Sequence, residues 1–534
     1  MNSDKSNQKI SVLTFCHNQE KNIENHLKQL SFADEIIVID SFSSDGTKEK
    51  AIELGCKVLD RKFDNFSNQK NHAISYATGD WILALDADEE ITPQLKQSIL
   101  EVIAHPPANT VYGIKRIDCI FGHEIDNSYW ALKAHWRLYP KAFQYNDNLV
   151  HESVELNGAV TQTLKGTMLH HTADTPQFWL DKRLQYAKAW AVDRHQRGKN
   201  VSIFSVILHA KWAFIKQYLI DGRFLKGRYG FIYSLLFTQY TFNKYAILYD
   251  LENNQAEKNF LDLNNKQQLL KPIDKANKKS TLSLVMILKN ESKHLAACLD
   301  TVSDIVDEII ILDSGSTDST KEIAEKYNAK WHVNLDWQGF GKQRQLAQTY
   351  ATGDYVLVLD ADERLDQPLR QAIANVLNQP VQTDKVFSVA RVNQFCGIEV
   401  QKRFWYADKL ARLYAREHFQ YSSLEVHESL DSKGVPVKRL DGYLMHLTND
   451  DLHHFLLKNI RYSHDWATEK YNNGKQVNLL MVVLRSIFSF IREYIIRGDI
   501  LGGAYGLFLA VASLGYTLDK YLMLWQKNRG CKDL

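Results

Sequence analysis

The sequence predicts two tandem α/β domains, each closing with a helical region. Three observations carry that expectation: the chain repeats itself at long range, buried-strand and helix signals alternate at the start of each repeat, and aromatic-rich helical stretches end both. DEIIVIDSFSSDGT from Asp34 returns as DEIIILDSGSTDST from Asp307, and YATGDWILALDADEEI from Tyr76 returns as YATGDYVLVLDADERL from Tyr350. LVHESV at Leu149 answers EVHESL at Glu425, and YTFNKY at Tyr240 answers YTLDKY at Tyr516. The offset drifts only from 272 (Gln19 to Glu291) to 276 (Tyr240 to Tyr516), so whole domains are duplicated. A polar stretch from Asn264 to Ser280, rich in Lys and Asn, interrupts the apolar periodicity. The expected organisation is a first domain at 1–263 with its helical region at about 177–251, a linker at 264–280, and a second domain at 281–534 with its helical region at about 450–526.

Within the first copy, Ile10 to Phe15 is an apolar, partly β-branched run and reads as a strand, Glu20 to Leu30 as a helix, and Glu35 to Ile39 as a buried parallel strand. Ser319 followed by Glu322 predicts a capping box in the second copy, of which Gly46 and Glu49 keep only half in the first. Trp81 to Leu85 and Tyr355 to Leu359 are the next buried strands. In such a layered fold the ligand site lies at the carboxyl ends of the strands.

Bulk composition narrows the function classes. The 534 residues are 45% hydrophobic and 24% charged, an ordinary globular balance, and a formal charge of +2 favours no nucleic-acid partner. Six scattered cysteines form neither a zinc-site nor a disulfide pattern, and the amino terminus lacks an apolar signal core; a reducing, cytoplasmic location is expected. Residues 500–518 carry no charge and just reach the length of a membrane span, but their counterpart at 230–243 is much shorter, which favours a helix lying on a membrane or packed in protein.

Asp40 and Asp313 end apolar strands, where a ligand contact and a turn or capping role are both open. The stronger signal is Asp86-Ala87-Asp88-Glu89 and its copy Asp360-Ala361-Asp362-Glu363. Each follows five apolar residues, so a buried strand delivers carboxylates that repel one another until a cation is present. Hard oxygen donors suit Mg²⁺ or Mn²⁺, whose shell water and a substrate diphosphate complete.

A strand ending in Asp40, an S-S-D-G-T turn, Gln69-Lys70-Asn71 and then Asp86-Ala87-Asp88 together resemble glycosyltransferase family 2, with its GT-A (Rossmann-like) fold. In the second copy, DWQGFGKQRQLAQTYATGDYVLVLDADE, YADKLARLYARE and VHESLDSKG resemble the branch of lipopolysaccharide core β-1,4-glucosyltransferases that act on heptose. The resemblance implies a metal-dependent, inverting hexosyltransferase that takes a UDP-sugar, with glucose the expected hexose, to the heptose region of a lipopolysaccharide or lipooligosaccharide core. It implies that Asp40, Asp86, Asp313 and Asp360 bind the donor, that Asp88 and Asp362 hold the metal, and that Lys70 and Arg344 sit near the nucleotide. The first copy departs from the second in having Gln19 for Glu291 and Phe42 for Gly315.

Inversion needs a base for the acceptor hydroxyl. Glu152 and Glu428, recurring in V-H-E-S, are the expected catalytic residues; a structural Glu held by Arg137 or Arg412 is the alternative, and Glu89 and Glu363 stand in reserve. His151 and His427 are placed to orient those glutamates. His170 and His446 match between copies as metal ligands or as ordinary hydrogen-bonding residues. The stretches from Phe204 to Leu251 and Leu484 to Gln526 fit an anionic membrane surface, packing on the catalytic core, or both. The expected location is the cytoplasmic face of the inner membrane. Acceptors such as a peptide or another envelope polysaccharide, and a division into one catalytic and one binding domain, remain open.

Overall fold

The computed structural model describes residues 8–107, 109–126, 134–146, 153–254, 270–274, 276–396, 398–399, 408–422, 429–449 and 451–530. The first copy runs β1 (Ile10–Cys16), α1 (Ile23–Gln29), β2 (Glu35–Asp40), α2 (Thr47–Glu53), β3 (Lys57–Asp60), α3 (Phe66–Tyr76), β4 (Trp81–Asp86), β5 (Glu89–Ile91), α4 (Pro93–Ala104), β6 (Thr110–Ile120), β7 (His123–Glu124), β8 (Ala134–Pro140) and β9 (Val160–Ala173). Helices α5 (Pro176–Gln196), α6 (Ile203–Ile215) and α7 (Gly227–Asn253) follow. The second copy repeats this as β10 (Leu282–Leu288), α8 (Leu295–Asp300), β11 (Glu308–Asp313), α9 (Thr320–Lys326), β12 (Lys330–Val333), α10 (Phe340–Thr349), β13 (Tyr355–Val358), β14 (Glu363–Leu365), α11 (Gln367–Leu377), β15 (Val386–Phe395), β16 (Ile398–Glu399), β17 (Asp408–Ala415), β18 (Gln420–Tyr421), β19 (Leu430–Asp431) and β20 (Val437–Asn449), then α12 (Leu452–Asn472), α13 (Leu479–Ile491) and α14 (Gly503–Lys527).

Each copy builds one large mixed sheet, and in the second β18 and β19 pair separately. The orders, β3-β2-β1-β4-β8-β6-β9-β5 and β12-β11-β10-β13-β17-β15-β20-β14, are the same path. The first four strands are parallel neighbours and β8 or β17 joins antiparallel. The parallel strands read as continuous apolar runs because both faces are covered. Val12, Leu83 and Leu85 pack toward α1 and α4, whereas Leu13, Ile37, Ile39 and Ile82 pack toward α3. Register sets Asp40 beside Cys16 and Asp86 beside Phe15, so both acids emerge at one carboxyl edge.

Two local expectations change. Helix α1 starts only at Ile23, because Asn18 takes a positive φ of 51° and turns the chain first. The capping box at Ser319 is not formed: its side chain makes no cap bond, and the Thr320 N–H instead donates to Asp318 at 3.1 Å. Ser319 has a ψ of 21° rather than the extended backbone from which a cap side chain reaches back.

Contacts divide the chain into two compact units, Met1–Gln185 with Phe204–Asn243 and Gln526–Leu534, and Tyr186–Ile203 with Lys244–Trp525. In the second, Asp250 near the end of α7 accepts the Leu452 N–H (2.9 Å) and the Tyr505 hydroxyl (3.1 Å), while Tyr249 meets the rings of Tyr505 and Phe508. Of the expected linker, residues 264–269 and 275 lie outside the described residues; Lys279 and Ser280 donate to the Leu377 carbonyl. Residues Asp499–Lys527 are long and apolar enough to cross a membrane, yet Tyr505, Phe508, Leu522 and Trp525 are buried within the protein.

Candidate active site

At the tip of β4 the chain turns through Asp86, Ala87 and Asp88 into β5, and three charged groups lock the turn. Glu89 accepts the Asp86 N–H at 3.0 Å and the Arg137 guanidinium at 2.6 Å, and Arg137 also reaches Asp86 Oδ2 at 3.1 Å. The second copy repeats this with Glu363 accepting the Asp360 N–H (2.9 Å) and Arg412 donating to Glu363 (2.8 Å) and Asp360 (3.0 Å). Glu89 and Glu363 have no exposed side-chain surface. Burial pushes their carboxyls up, and the adjacent arginines only partly offset it. For Asp86 and Asp360 burial also opposes ionisation, but Arg137 with Lys70, and Arg344 with Arg412, hold these carboxyls well below the usual range. Arg137 and Arg412 are thus committed to Asp86, Glu89, Asp360 and Glu363.

Antiparallel pairing then imports the histidines. Glu89 lies opposite His170, and Glu363 opposite His446. His170 Nε2 stands 3.4 Å from Asp88 Oδ2, and His446 Nε2 stands 3.3 Å from Asp362 Oδ2. Behind them, His170 Nδ1 bonds Asp118 Oδ1 and His446 Nδ1 bonds Asn393 Oδ1, both at 2.8 Å. An Nδ1–H given to that oxygen turns the Nε2 lone pair toward a carboxylate oxygen. Two acceptors then face each other, an arrangement that calls for a cation between them. In the first copy a proton meets the need: burial lowers the His170 pKa, but hydrogen bonds to Asp118 and Asp88 outweigh it and raise it to about 9. The donor set of carboxylate oxygen plus imidazole nitrogen therefore fits a divalent ion. Among the described residues no group of three or more His, Cys, Asp and Glu closes on one point.

The turns after Asp40 and Asp313 and the basic residues beside the acids differ between copies. Asp40 is buried and accepts the Ser43 N–H at 2.8 Å; Asp313 is buried and accepts the Gly315 and Ser316 N–H groups at 3.0 and 2.9 Å. Both carboxylates thus organise the following turn. Gly315 takes a φ of 92°, and Phe42 holds a φ of 60° there, with its ring exposed. Arg344 donates to Asp360 at 2.8 Å beside the Tyr421 ring, whereas Lys70 lies 5.0 Å from the Tyr145 ring centre and 5.8 Å from that of Phe15. Glu291 is pushed up to about 7, first by burial and then by the charges of Asp362 and Asp360.

Glu152, Glu428, His151 and His427 lie outside the described residues. The remaining expected residues gather at the carboxyl edge of each sheet. Sequence reasoning missed Asp118 and Asn393. Their signal was the matched Arg-Ile-Asp at 116–118 and Arg-Val-Asn at 391–393, which place a polar group at the same strand position in both copies.

The profile described as glycosyl transferase family 2 matches residues 11–154 and 283–418, together more than half of the chain. An uncharacterized glycosyltransferase of Rickettsia prowazekii (strain Madrid E) is 29% identical over 255 residues, 46% of this chain and 87% of the relative. A lipopolysaccharide core biosynthesis glycosyltransferase of Rhizobium meliloti (strain 1021) is 23% identical over 260 residues, 47% of this chain and 96% of the relative. Glucosyl-3-phosphoglycerate synthase from Mycobacterium tuberculosis, solved with Mn²⁺, UDP-glucose and phosphoglyceric acid, is 21% identical over 22% of this chain and 45% of its own length; its TM-score of 0.18 carries no weight for the site. The repeated acid-tipped sheet and the two profile matches agree: the chain belongs to glycosyl transferase family 2 and holds two GT-A domains in tandem.

Proposed function

We propose that both domains are metal-dependent, inverting hexosyltransferases that move a hexose, glucose by preference, from a UDP-sugar to the heptose region of a lipopolysaccharide or lipooligosaccharide core, on the cytoplasmic face of the inner membrane. The single observation that supports this most is the convergence of Asp88 with His170 and of Asp362 with His446, duplicated with its supporting shell. The acceptor class leans on the name of the Rhizobium relative and on the heptose-transferase resemblance of the second copy.

In this reading Asp88 with His170, and Asp362 with His446, would hold a Mg²⁺ or Mn²⁺ ion, which would supply charge to stabilise the departing diphosphate. Asp40 and Asp313 face the uridine, and Lys70 and Arg344 contribute positive charge beside Asp86 and Asp360. Glu152 or Glu428 takes the proton of the acceptor hydroxyl as its oxygen bonds the anomeric carbon; the bond from that carbon to the UDP oxygen breaks, and its electron pair leaves with the diphosphate. Displacement from the opposite face inverts the anomeric centre to a β-linkage. Glu89 and Glu363 serve position, since each is buried against an arginine.

The second reading, one working and one silent domain, has specific support in Gln19 for Glu291, Lys70 for Arg344 and Asp118 for Asn393. Separate Asp88→Ala and Asp362→Ala variants, incubated with UDP-glucose, UDP-galactose and core acceptors, discriminate by mass spectrometry. Two working sites predict that each variant loses a different hexose addition. Transfer to peptide alone would refute the acceptor, and one variant retaining every product would establish the silent half.

A further inference from the structure

After its sheet and first long helix, each copy carries the same short element: a helix, one π turn and a 3₁₀ turn. These are α6 with Lys216–Ile220 and Arg223–Lys226, and α13 with Arg492–Ile496 and Asp499–Gly502. Their amphipathicity is inverted. The buried side consists of Val206, Ala210 and Ala213 in one copy and Val482, Ser486 and Ser489 in the other. The large apolar side chains point outward instead. Leu208 and Trp212, 46% and 56% exposed, share a face by their four-residue spacing, and Leu484 and Phe488, 56% and 59% exposed, occupy the matching positions. Past the helix, Leu219 and Leu225 are exposed in the first copy, and Ile495 and Leu501 at the equivalent positions in the second.

A helix facing water does the opposite, with its large apolar residues inward. The recurrence of the same outward apolar pattern at matched positions marks a face suited to an apolar medium. Its charge identifies which one. Between 203 and 228 the only acid is Asp221, paired to Lys216 and Arg223, against five basic residues. Between 479 and 504, Arg485, Arg492 and Arg497 outnumber two buried acids, Asp499 and Glu493, the latter paired to Arg492 and Arg497. An apolar face with basic charge at its rim complements an anionic bilayer and repels a second copy of itself. The 13 residues of α13 extend about 20 Å, short of the roughly 30 Å hydrocarbon core, so insertion is shallow.

We propose that these two elements are lipid-insertion surfaces, each seating its own domain on an anionic membrane leaflet, with α14 kept inside the protein. This rests on the membrane-bound acceptor of the preceding section and names the side chains that reach it.

Flotation of the full chain with vesicles of phosphatidylethanolamine and phosphatidylglycerol tests it. Wild type floats, less so on phosphatidylcholine or at high salt. Leu208→Glu/Trp212→Glu and Leu484→Glu/Phe488→Glu each lower the bound fraction by about tenfold or more, and the fourfold variant stays with the soluble fraction. Leu208→Ser with Leu484→Ser, a milder pair, gives a smaller loss in the same direction. Far-UV circular dichroism and transfer to a lipid-free core oligosaccharide stay at wild-type level, since these side chains touch neither core nor site. Flotation of the fourfold variant like wild type, wild type failing to bind anionic vesicles, or a vesicle-free dimer that the fourfold variant dissolves would each overturn the proposal. Absent transfer to the lipid-free acceptor by wild type counts against the glycolipid reading alone, because flotation is read without any acceptor.

Discussion

Replacing Arg137 by Met removes the cation that holds Glu89 and Asp86 together, and the structure allows the cost to be ranked against its twin. The Glu89 side chain has no solvent exposure and Arg137 only 7%, so Met leaves a desolvated carboxylate without its guanidinium. Breaking a buried pair from one side costs about 3–5 kcal/mol, which at roughly 2–4 °C per kcal/mol for a unit of this size is a fall on the order of 6–20 °C in the melting temperature. Arg412→Met should cost less. Asp360 keeps Arg344 at 2.8 Å, and Glu363 keeps Arg391 at 3.9 Å. Calorimetry of the metal-free chain reads both losses. Adding Glu89→Gln to Arg137→Met should recover much of the deficit, because the neutral amide still accepts the Asp86 N–H without demanding a cation. Lowering the pH should shrink the deficit too, since burial already raises the Glu89 carboxyl and protonation removes its charge. An Arg137→Met melting temperature within about a degree of wild type, or a double variant no better than the single one, would refute the role assigned to the pair.

Three further outcomes follow from the same geometry. His170 is raised above its ordinary 6.5 to about 9, so in the metal-free protein its contribution to stability is complete below pH 6.5 and lost as pH rises through 9; His170→Gln should flatten that slope in thermal melts with chelator present. Divalent-ion affinity at that site should run the other way, rising toward pH 9 as the proton leaves, and titration calorimetry in an Asp362→Ala background isolates it. Gly166 and Gly442 have φ values of 88° and 93°, and an added Cβ would lie 2.4 and 2.2 Å from the Leu95 and Leu369 nitrogens; either change to Ala should cost at least about 2 kcal/mol in denaturant unfolding.

Much of the architecture was legible because it is written in short-range patterns. Buried parallel strands are continuous apolar runs, and the duplication showed which acids recur at their tips. Helix starts were less legible: the positive-φ turn at Asn18, tied to Ser43 and Ser44, delays α1, and the Asp318 carboxylate replaces the Ser319 cap at α9. The side chains that hold Glu89 and His170 in place were not legible. Arg137 meets Glu89 from 48 positions away, and Asp118 meets His170 from 52.

By itself, then, the sequence determined the two-domain α/β plan and the placement of Asp86, Asp88, Asp360 and Asp362 at strand ends, since both depend on periodicity along one segment. Only the tertiary structure decided what those acids face. The antiparallel pairing of β5 with β9 and of β14 with β20 brings His170 to Asp88 and His446 to Asp362, and a shift of one residue in either register would turn the imidazole to the other side of the sheet. The outward face of α6 and α13 was decided in the same way: an apolar helix reads alike from the sequence whichever side is buried, and here packing took the small residues.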